Sequence, residues 1–448
     1  MSLPILSLTP LRTALPQTTH DVETHVLLRV TVPEANANAA SSQRLPLHLS
    51  LVLDRSGSMS GAPLEQAKRC AQFIVSGLRP TDRCSVVAYD DEVTVLAPAQ
   101  LVGDRKALQH AIQSIHSGGS TDLHAGWLAG ATTLAPHTTP QVLSRVILLS
   151  DGCANHGLTD EAAIARQCAQ LAEAGVTTST YGLGQGFNES LMHAMARAGQ
   201  GKAYYGETAD DLMGPFTEEL SLLDALAGRK VQMTLNPADG VQLQVLNHYE
   251  ATTPHSWRLP DLARGADTWA LLRVRVSAKT KAAALFTAQL NYVDAQGERV
   301  NLEPLTLSLP RVSEALFAAL PADDAVTART AELGVAEVAQ QTRLAIAQED
   351  WPLADRLLQQ LREQVAGYPW LSDVVAELQS RASQRDQQLF MKEAMYSASM
   401  LHRRPVMSRN ESYAADYEVA ESTAPAFLRR KAAQGKSQDD AGKQPIKR

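Results

Sequence analysis

Cysteine is scarce, at four in 448 residues. Cys70, Cys84, Cys153 and Cys168 all fall in the first half of the chain, and no two have zinc-knuckle spacing. Neither a disulfide scaffold nor a cysteine-held zinc module is encoded. Cys70 and Cys168 sit among apolar residues of expected helices and read as buried, reduced thiols. Cys153 follows an Asp-Gly turn, and no His is arranged with it as a nucleophile's partner. Surplus positive charge is also lacking: 41 Lys and Arg stand against 48 Asp and Glu, a net charge of -7. That argues against a nucleic-acid partner, because neutralising phosphates takes an excess of Lys and Arg. No window approaches the ~18 unbroken apolar residues of a membrane span. The opening MSLPILSLTPLRTALPQ has neither the basic start nor the sustained apolar run of a secretory leader. These absences lead to the expectation of a cytoplasmic protein with no membrane partner.

Several enzyme signatures are absent as well. The Gly-Lys pairs at 201–202 and 435–436 lack the earlier glycine of a Walker A loop, and Gly182-x-Gly184-x-Gly186 lacks the last glycine of a dinucleotide loop. Arg55-Ser56-Gly57-Ser58 lacks the leading glycine of a nucleophile elbow. With no general base or nucleophile pair to nominate, the chain reads as a non-enzyme.

What is present is ordinary globular material, 44% hydrophobic and 20% charged, enough for about three domains. Residues 1–45 contain one clear strand, Val22 to Val32, and a small-residue loop at 34–42. From 46 to 222 apolar strands alternate with amphipathic helices, the pattern of a mostly parallel sheet with helices on both faces. Residues 228–312 return to period-2 strands between Gly, Pro and Asp turns, a β-sandwich pattern. The strand at 22–32 has no partner on its own side, so it is assigned to that sandwich, with the α/β domain inserted into one of its connections. Residues 313–405 have helical period, with boundaries expected at Trp351-Pro352 and Tyr368-Pro369. The tail at 421–448 is polar and basic and reads as disordered.

The informative stretch is LSLVLDRSGSMSGAPLEQAK. An apolar strand delivers Asp54 at its carboxyl end, where open α/β sheets bind ligands, and Ser56 and Ser58 follow at a spacing of two. A carboxylate and two hydroxyls on one tight loop suit a hard cation such as Mg2+, which takes oxygen ligands in octahedral geometry. Gly57 is expected to permit the turn, with Met59 and Leu64 anchoring it. Thr121 comes after the Gly118-Gly119 loop, and Asp151 comes directly after the most apolar strand. On their own, Asp54, Ser56 and Ser58 would serve as helix caps and turn residues; Thr121 and Asp151 at two further sheet ends favour a site. Asp90, Asp91 and Asp122, near the same face, read as cap and turn residues. His124 and His156 have no second His at ligand spacing, which argues against zinc.

Asp54-x-Ser56-x-Ser58, Thr121 and Asp151 resemble the five-residue metal-ion-dependent adhesion site of the von Willebrand factor type A domain, over about residues 46–222. The resemblance implies a Rossmann-like fold and a bound Mg2+, or Mn2+ or Ca2+ in its place. It also implies direct coordination by Ser56, Ser58 and often Thr121, with Asp54 and Asp151 acting largely through waters. A protein partner's Asp or Glu would complete the shell. In order of elements the whole chain is loosely similar to inter-alpha-trypsin-inhibitor heavy chains and to uncharacterised bacterial proteins of the same class. The expected function is a non-enzymatic, Mg2+-dependent adaptor or scaffold. The alternative is a non-catalytic subunit of an AAA-type ATPase or a kinase–phosphatase assembly.

Overall fold

Strands that are apolar on both faces must lie inside a covered sheet, and two such segments form the middle of one here. In a computed structural model, which describes residues 3–33, 45–151, 154–183, 188–206, 208–280, 284–403 and 406–407, Leu47–Asp54 and Leu143–Ser150 are adjacent and buried throughout. From edge to edge the sheet runs Val93–Leu101, Arg83–Tyr89, Leu47–Asp54, Leu143–Ser150, Val176–Leu183, Gln200–Gly206. Only Val93–Leu101 is antiparallel to its neighbour. Among the described residues six helices accompany the sheet: α1 (Ala62–Gly77), α2 (Lys106–Gln113), α3 (Leu123–Leu134), α4 (Glu161–Glu173), α5 (Glu189–Ala198) and α6 (Ala209–Asp224). The fold class read from the sequence is the fold class observed.

The chain divides into two compact units: residues 45–224, and a second built from the stretches before and after them. Both ends of the α/β unit are tied to one turn. Asp82 accepts from the Leu47 N–H at 3.0 Å and from the Arg79 N–H at 2.7 Å, and the Arg79 guanidinium is 3.8 Å from Asp224. The unit is slightly longer than the 46–222 read from the sequence, because α6 runs to Asp224 and the next strand, Leu226–Pro237, starts ahead of residue 228. A register shift between Arg229 and Gln232, with Lys230 at φ 52°, hides the start of that strand from a period-2 count. Gln200–Gly206 was not expected as a strand. It is a glycine-bearing edge, where a Cβ on Gly201 would lie 2.0 Å from the Thr178 carbonyl oxygen.

In the second unit, Val22–Thr31 pairs antiparallel with Ala266–Val276, register Thr31↔Asp267 to Val22↔Val276. Its other neighbour is Ile5–Pro10, a strand the sequence reading lacked. A second antiparallel sheet centres on Leu226–Pro237 and Ala284–Asp294. Alternate residues of the two sheets, among them Val26, Leu28, Leu272, Val274, Met233 and Leu290, share one buried core. The opposite alternation, Leu27, Trp269 and Leu271, packs with Val326 and Leu333.

Among the described residues five helices follow where three or four were expected: α7 (Glu314–Ala319), α8 (Asp324–Ala347), α9 (Trp351–Gln364), α10 (Pro369–Ser383) and α11 (Gln387–Arg403). Pro352 and Pro369 stand in the first turns of α9 and α10, where a missing N–H costs nothing. No described helix is long and apolar enough to cross a membrane. The loop at 34–42, Cys153, Gly184, Gly186 and the tail at 421–448 lie outside the described residues.

Candidate metal centre

Parallel strands present their carboxyl ends on one edge, and the five sequence-nominated residues reach that edge by three routes. Asp54 is the last residue of its strand and fully buried. Ser56 precedes the short turn Gly57–Met59, which holds Ser58. Asp151 follows Leu143–Ser150, and Thr121 lies two residues ahead of α3. Ser56, Thr121 and Asp151 are buried, and Ser58 is exposed.

Three donors hold the Asp54 carboxylate. The Ser56 N–H donates to Oδ1 at 2.9 Å, and the hydroxyls of Ser150 and Tyr89 donate to Oδ2 at 2.6 and 3.3 Å. Burial nonetheless raises its pKa above the ordinary value; the hydrogen bonds of Ser150 and Ser56 oppose this and the charge of Asp151 adds to it. Ser150 and Tyr89 were missed by sequence reasoning. Ser150 stands beside a nominated residue and Tyr89 ends its own apolar strand, which was the signal available.

Asp54 and the Thr121 loop are joined through backbone. Gly57 N–H donates to the Gly119 carbonyl at 2.8 Å, Gly118 N–H to the Arg55 carbonyl at 2.7 Å, and Arg55 N–H to the Tyr89 carbonyl at 2.8 Å. Gly57 is not what permits the turn: it lacks a positive φ, and a Cβ there would meet carbonyl oxygens at an ordinary 3.6 Å. The close approach falls instead at 118 and 119, where a Cβ would lie 1.8 Å from Asp90 Oδ2 and 1.9 Å from Asp91 Oδ1, so that each carboxylate would have to move aside. The Asp122 side chain caps α3 through the Ala125 N–H at 2.9 Å. His124 is held by Gln167 at 2.8 Å, and His156 lies 3.6 Å from Asp122.

The donor set fits a small hard cation. Ser56 Oγ and Ser58 Oγ are 3.2 Å apart, close to the edge of an octahedron with ~2.1 Å metal–oxygen bonds. Asp151 Oδ1 is buried with no hydrogen-bond partner among the described residues, and an orphaned carboxylate oxygen next to a second buried carboxylate calls for positive charge. Ser56, Ser58 and Thr121 would hold the ion directly, and Asp54 and Asp151 would reach it through waters.

An open α/β sheet with neutral hydroxyls and two carboxylates at its carboxyl edge defines a class of domain. Residues 48–218 match the von Willebrand factor type A domain model, and this part of the chain is such a domain. Over 228 residues the chain is 29% identical to the uncharacterised protein sll0103 of Synechocystis, covering 50% of this chain and 53% of that protein. It is 29% identical over 222 residues to the uncharacterised Escherichia coli protein YfbK, covering 48% and 38%. Against human inter-alpha-trypsin inhibitor heavy chain H3 it is 27% identical over 188 residues, 40% of this chain and 21% of that one. The chain thus spans about half the length of sll0103 and less of the others. A von Willebrand factor type A protein from Catenulispora acidiphila superposes with a TM-score of 0.68 at 16% identity, covering 90% of this chain and 97% of that one. The ArnB paralog VWA2 from Sulfolobus acidocaldarius gives 0.58 at 18%, covering 90% and 98%. At these identities the two structures share the fold.

Proposed function

We propose that the chain is a non-enzymatic protein-binding module that holds Mg2+, or Mn2+ or Ca2+, through Ser56, Ser58, Thr121, Asp54 and Asp151, and takes an Asp or Glu of a partner protein as the last ligand. The observation that carries this reading is the partnerless, buried Asp151 Oδ1 at the same edge as two hydroxyls 3.2 Å apart. Three hydroxyls contribute no charge, so a bound ion keeps attraction for one further anionic oxygen, and the exposed Ser58 marks the side from which it would come. The proposed setting is the cytoplasm, which suits the free, buried thiols of Cys70, Cys84 and Cys168, each pushed up to about 12 by burial.

The test uses immobilised wild type and Thr121→Ala, each exposed to host extract in Mg2+ and in EDTA. A protein retained by wild type only in Mg2+, released by EDTA, and lost when one of its Asp or Glu residues becomes the amide supports the reading. Retention that ignores both EDTA and Thr121→Ala overturns it.

A further inference from the structure

The loop carrying Thr121 has no regular secondary structure, yet five consecutive backbone N–H groups in it are held. Gly118 donates to the Arg55 carbonyl at 2.7 Å, Gly119 to Asp90 Oδ2 at 3.1 Å, and Ser120 to Asp91 Oδ1 at 3.2 Å. Thr121 donates to Asn155 Oδ1 at 2.9 Å and Asp122 to the Asp90 carbonyl at 2.8 Å. Asp90 therefore supplies two of the five acceptors, one from its side chain and one from its backbone.

Both oxygens of its carboxylate are engaged. Oδ1 accepts from Arg55 Nη2 at 3.0 Å and from the Glu92 N–H at 2.9 Å, while Oδ2 takes the Gly119 N–H. Arg55 lies between Asp54 and Ser56, and Gly119 lies two residues before Thr121, so this one buried side chain bridges the two segments that bear the hydroxyls. Its fit is close: a methyl on Gly118 would overlap Oδ2 at 1.8 Å. We infer that Asp90 is a positioning residue of the metal centre, clamping the Ser56–Ser58 segment to the Thr121 loop so that the three hydroxyls are assembled before an ion arrives. The inference rests on the metal reading proposed above. Pre-assembly of this kind lowers the reorganisation an ion must cause, and so appears as affinity.

The experiment titrates Mn2+ calorimetrically into the full chain, comparing wild type, Asp90→Asn, Gly118→Ala and Glu219→Gln, with metal-free melting recorded for each. Glu219→Gln perturbs a buried network elsewhere in the same unit and serves as the destabilised control. Asp90→Asn keeps one acceptor oxygen but places an amide N–H₂ against an N–H or the Arg55 guanidinium; Gly118→Ala displaces the carboxylate without altering its charge. Both are expected to bind Mn2+ about 10–100-fold more weakly than wild type, while Glu219→Gln binds as wild type does. The Asp90→Asn, Gly118→Ala double variant should bind no more weakly than the weaker single variant, since both break one clamp. Wild-type affinity in both single variants overturns the role of Asp90 and leaves the metal reading standing. Absence of Mn2+ binding by wild type overturns the metal reading itself.

Discussion

Asn155 and Thr121 hold each other reciprocally. The Asn155 side-chain oxygen accepts the Thr121 N–H at 2.9 Å, and the Asn155 backbone N–H donates to the Thr121 carbonyl at 3.1 Å. The His156 N–H reaches the same carbonyl at 3.1 Å. The segment after Asp151 is thereby fastened to the residue nominated as the third hydroxyl ligand. Asn155→Ala keeps the backbone bond but strands the Thr121 N–H, which should cost about 1 kcal/mol of stability. Mg2+ affinity should fall as well, because the Thr121 loop loses one of its ties. Denaturant melts with and without Mg2+ check both; an unchanged Mg2+ increment would show that the tie is unrelated to the ion.

Mg2+ or Mn2+ is expected to raise the melting temperature of wild type, by the equivalent of about 2.7 kcal/mol at a hundred times the dissociation constant. Asp54→Asn should remove that increment. The amide is a better choice than Ala, because Asp54 accepts three hydrogen bonds in full burial and Ala would leave all three donors without an acceptor. The amide oxygen retains the Ser56 bond, and the Ser150 and Tyr89 hydroxyls can turn to accept. Equal metal responses in wild type and Asp54→Asn, followed by scanning calorimetry, would remove Asp54 from the site.

Acid should act in opposite senses on the free and the metal-loaded protein. Burial holds the Asp54 pKa above its unfolded value, so between those two values the folded chain binds more protons than the unfolded one. This group's contribution then makes the metal-free protein more stable as pH falls through that window and less stable as pH rises through it. A proton on Asp54 competes with the ion, so the Mg2+ increment shrinks over the same fall in pH. Asp54→Asn should show neither trend, which thermal melts across that window would reveal.

The Arg145–Glu219 pair is purely architectural, and its loss should leave the metal centre alone. Arg145 Nη1 lies 2.6 Å from Glu219 Oε1, which also accepts the Ser179 hydroxyl at 2.5 Å, while the Tyr181 hydroxyl bonds the other oxygen. Glu219→Ala removes the carboxylate facing the buried Arg145 guanidinium, which keeps its neutral bond to Thr177 Oγ1 at 2.9 Å, and should cost about 3–5 kcal/mol. Mn2+ affinity measured well below the melting point should match wild type.

The pairing of Val22–Thr31 with Ala266–Val276 predicts how the chain divides. A fragment of 45–224 should be soluble and fold with a cooperative melt. A fragment of 226–312 should be insoluble, because without Val22–Thr31 it exposes a long, flat sheet edge. A soluble 226–312 fragment with dispersed amide signals would mean that the N-terminal strand is dispensable to the sandwich.

Legibility followed burial. Leu47–Asp54 and Leu143–Ser150, apolar on both faces, were readable as sheet centre; so were the caps and prolines that start α3, α9 and α10. Ile5–Pro10 and Gln200–Gly206 were not, since both are edge strands and half-exposed residues carry no strict alternation. Around the site, residue types with ion chemistry stood out by spacing. The groups that orient them did not: Tyr89, Asp90, Ser150 and Asn155 act through hydrogen bonds to partners at sequence distances no periodicity encodes. Glycine was misassigned for a related reason. Close approach of Gly118 and Gly119 to Asp90 and Asp91 is a three-dimensional fact, whereas Gly57 merely sat in a conspicuous motif.

The turn at Arg79–Asp82, which ties the Leu47 N–H and the Asp224 carboxylate to one place, bears on the order in which the chain folds. Thr31 must find Asp267 across more than two hundred intervening residues, a search whose entropy cost grows with the length of open loop. Once the α/β unit has formed, its entry and exit lie at that single turn, and the whole insertion counts in the search as little more than a short connector. Long-range strand pairing is slow because closure precedes reward. The expected order is therefore guest first and sandwich second, and Asp82→Ala is expected to slow, in stopped-flow refolding, the pairing of strands in which Asp82 takes no part.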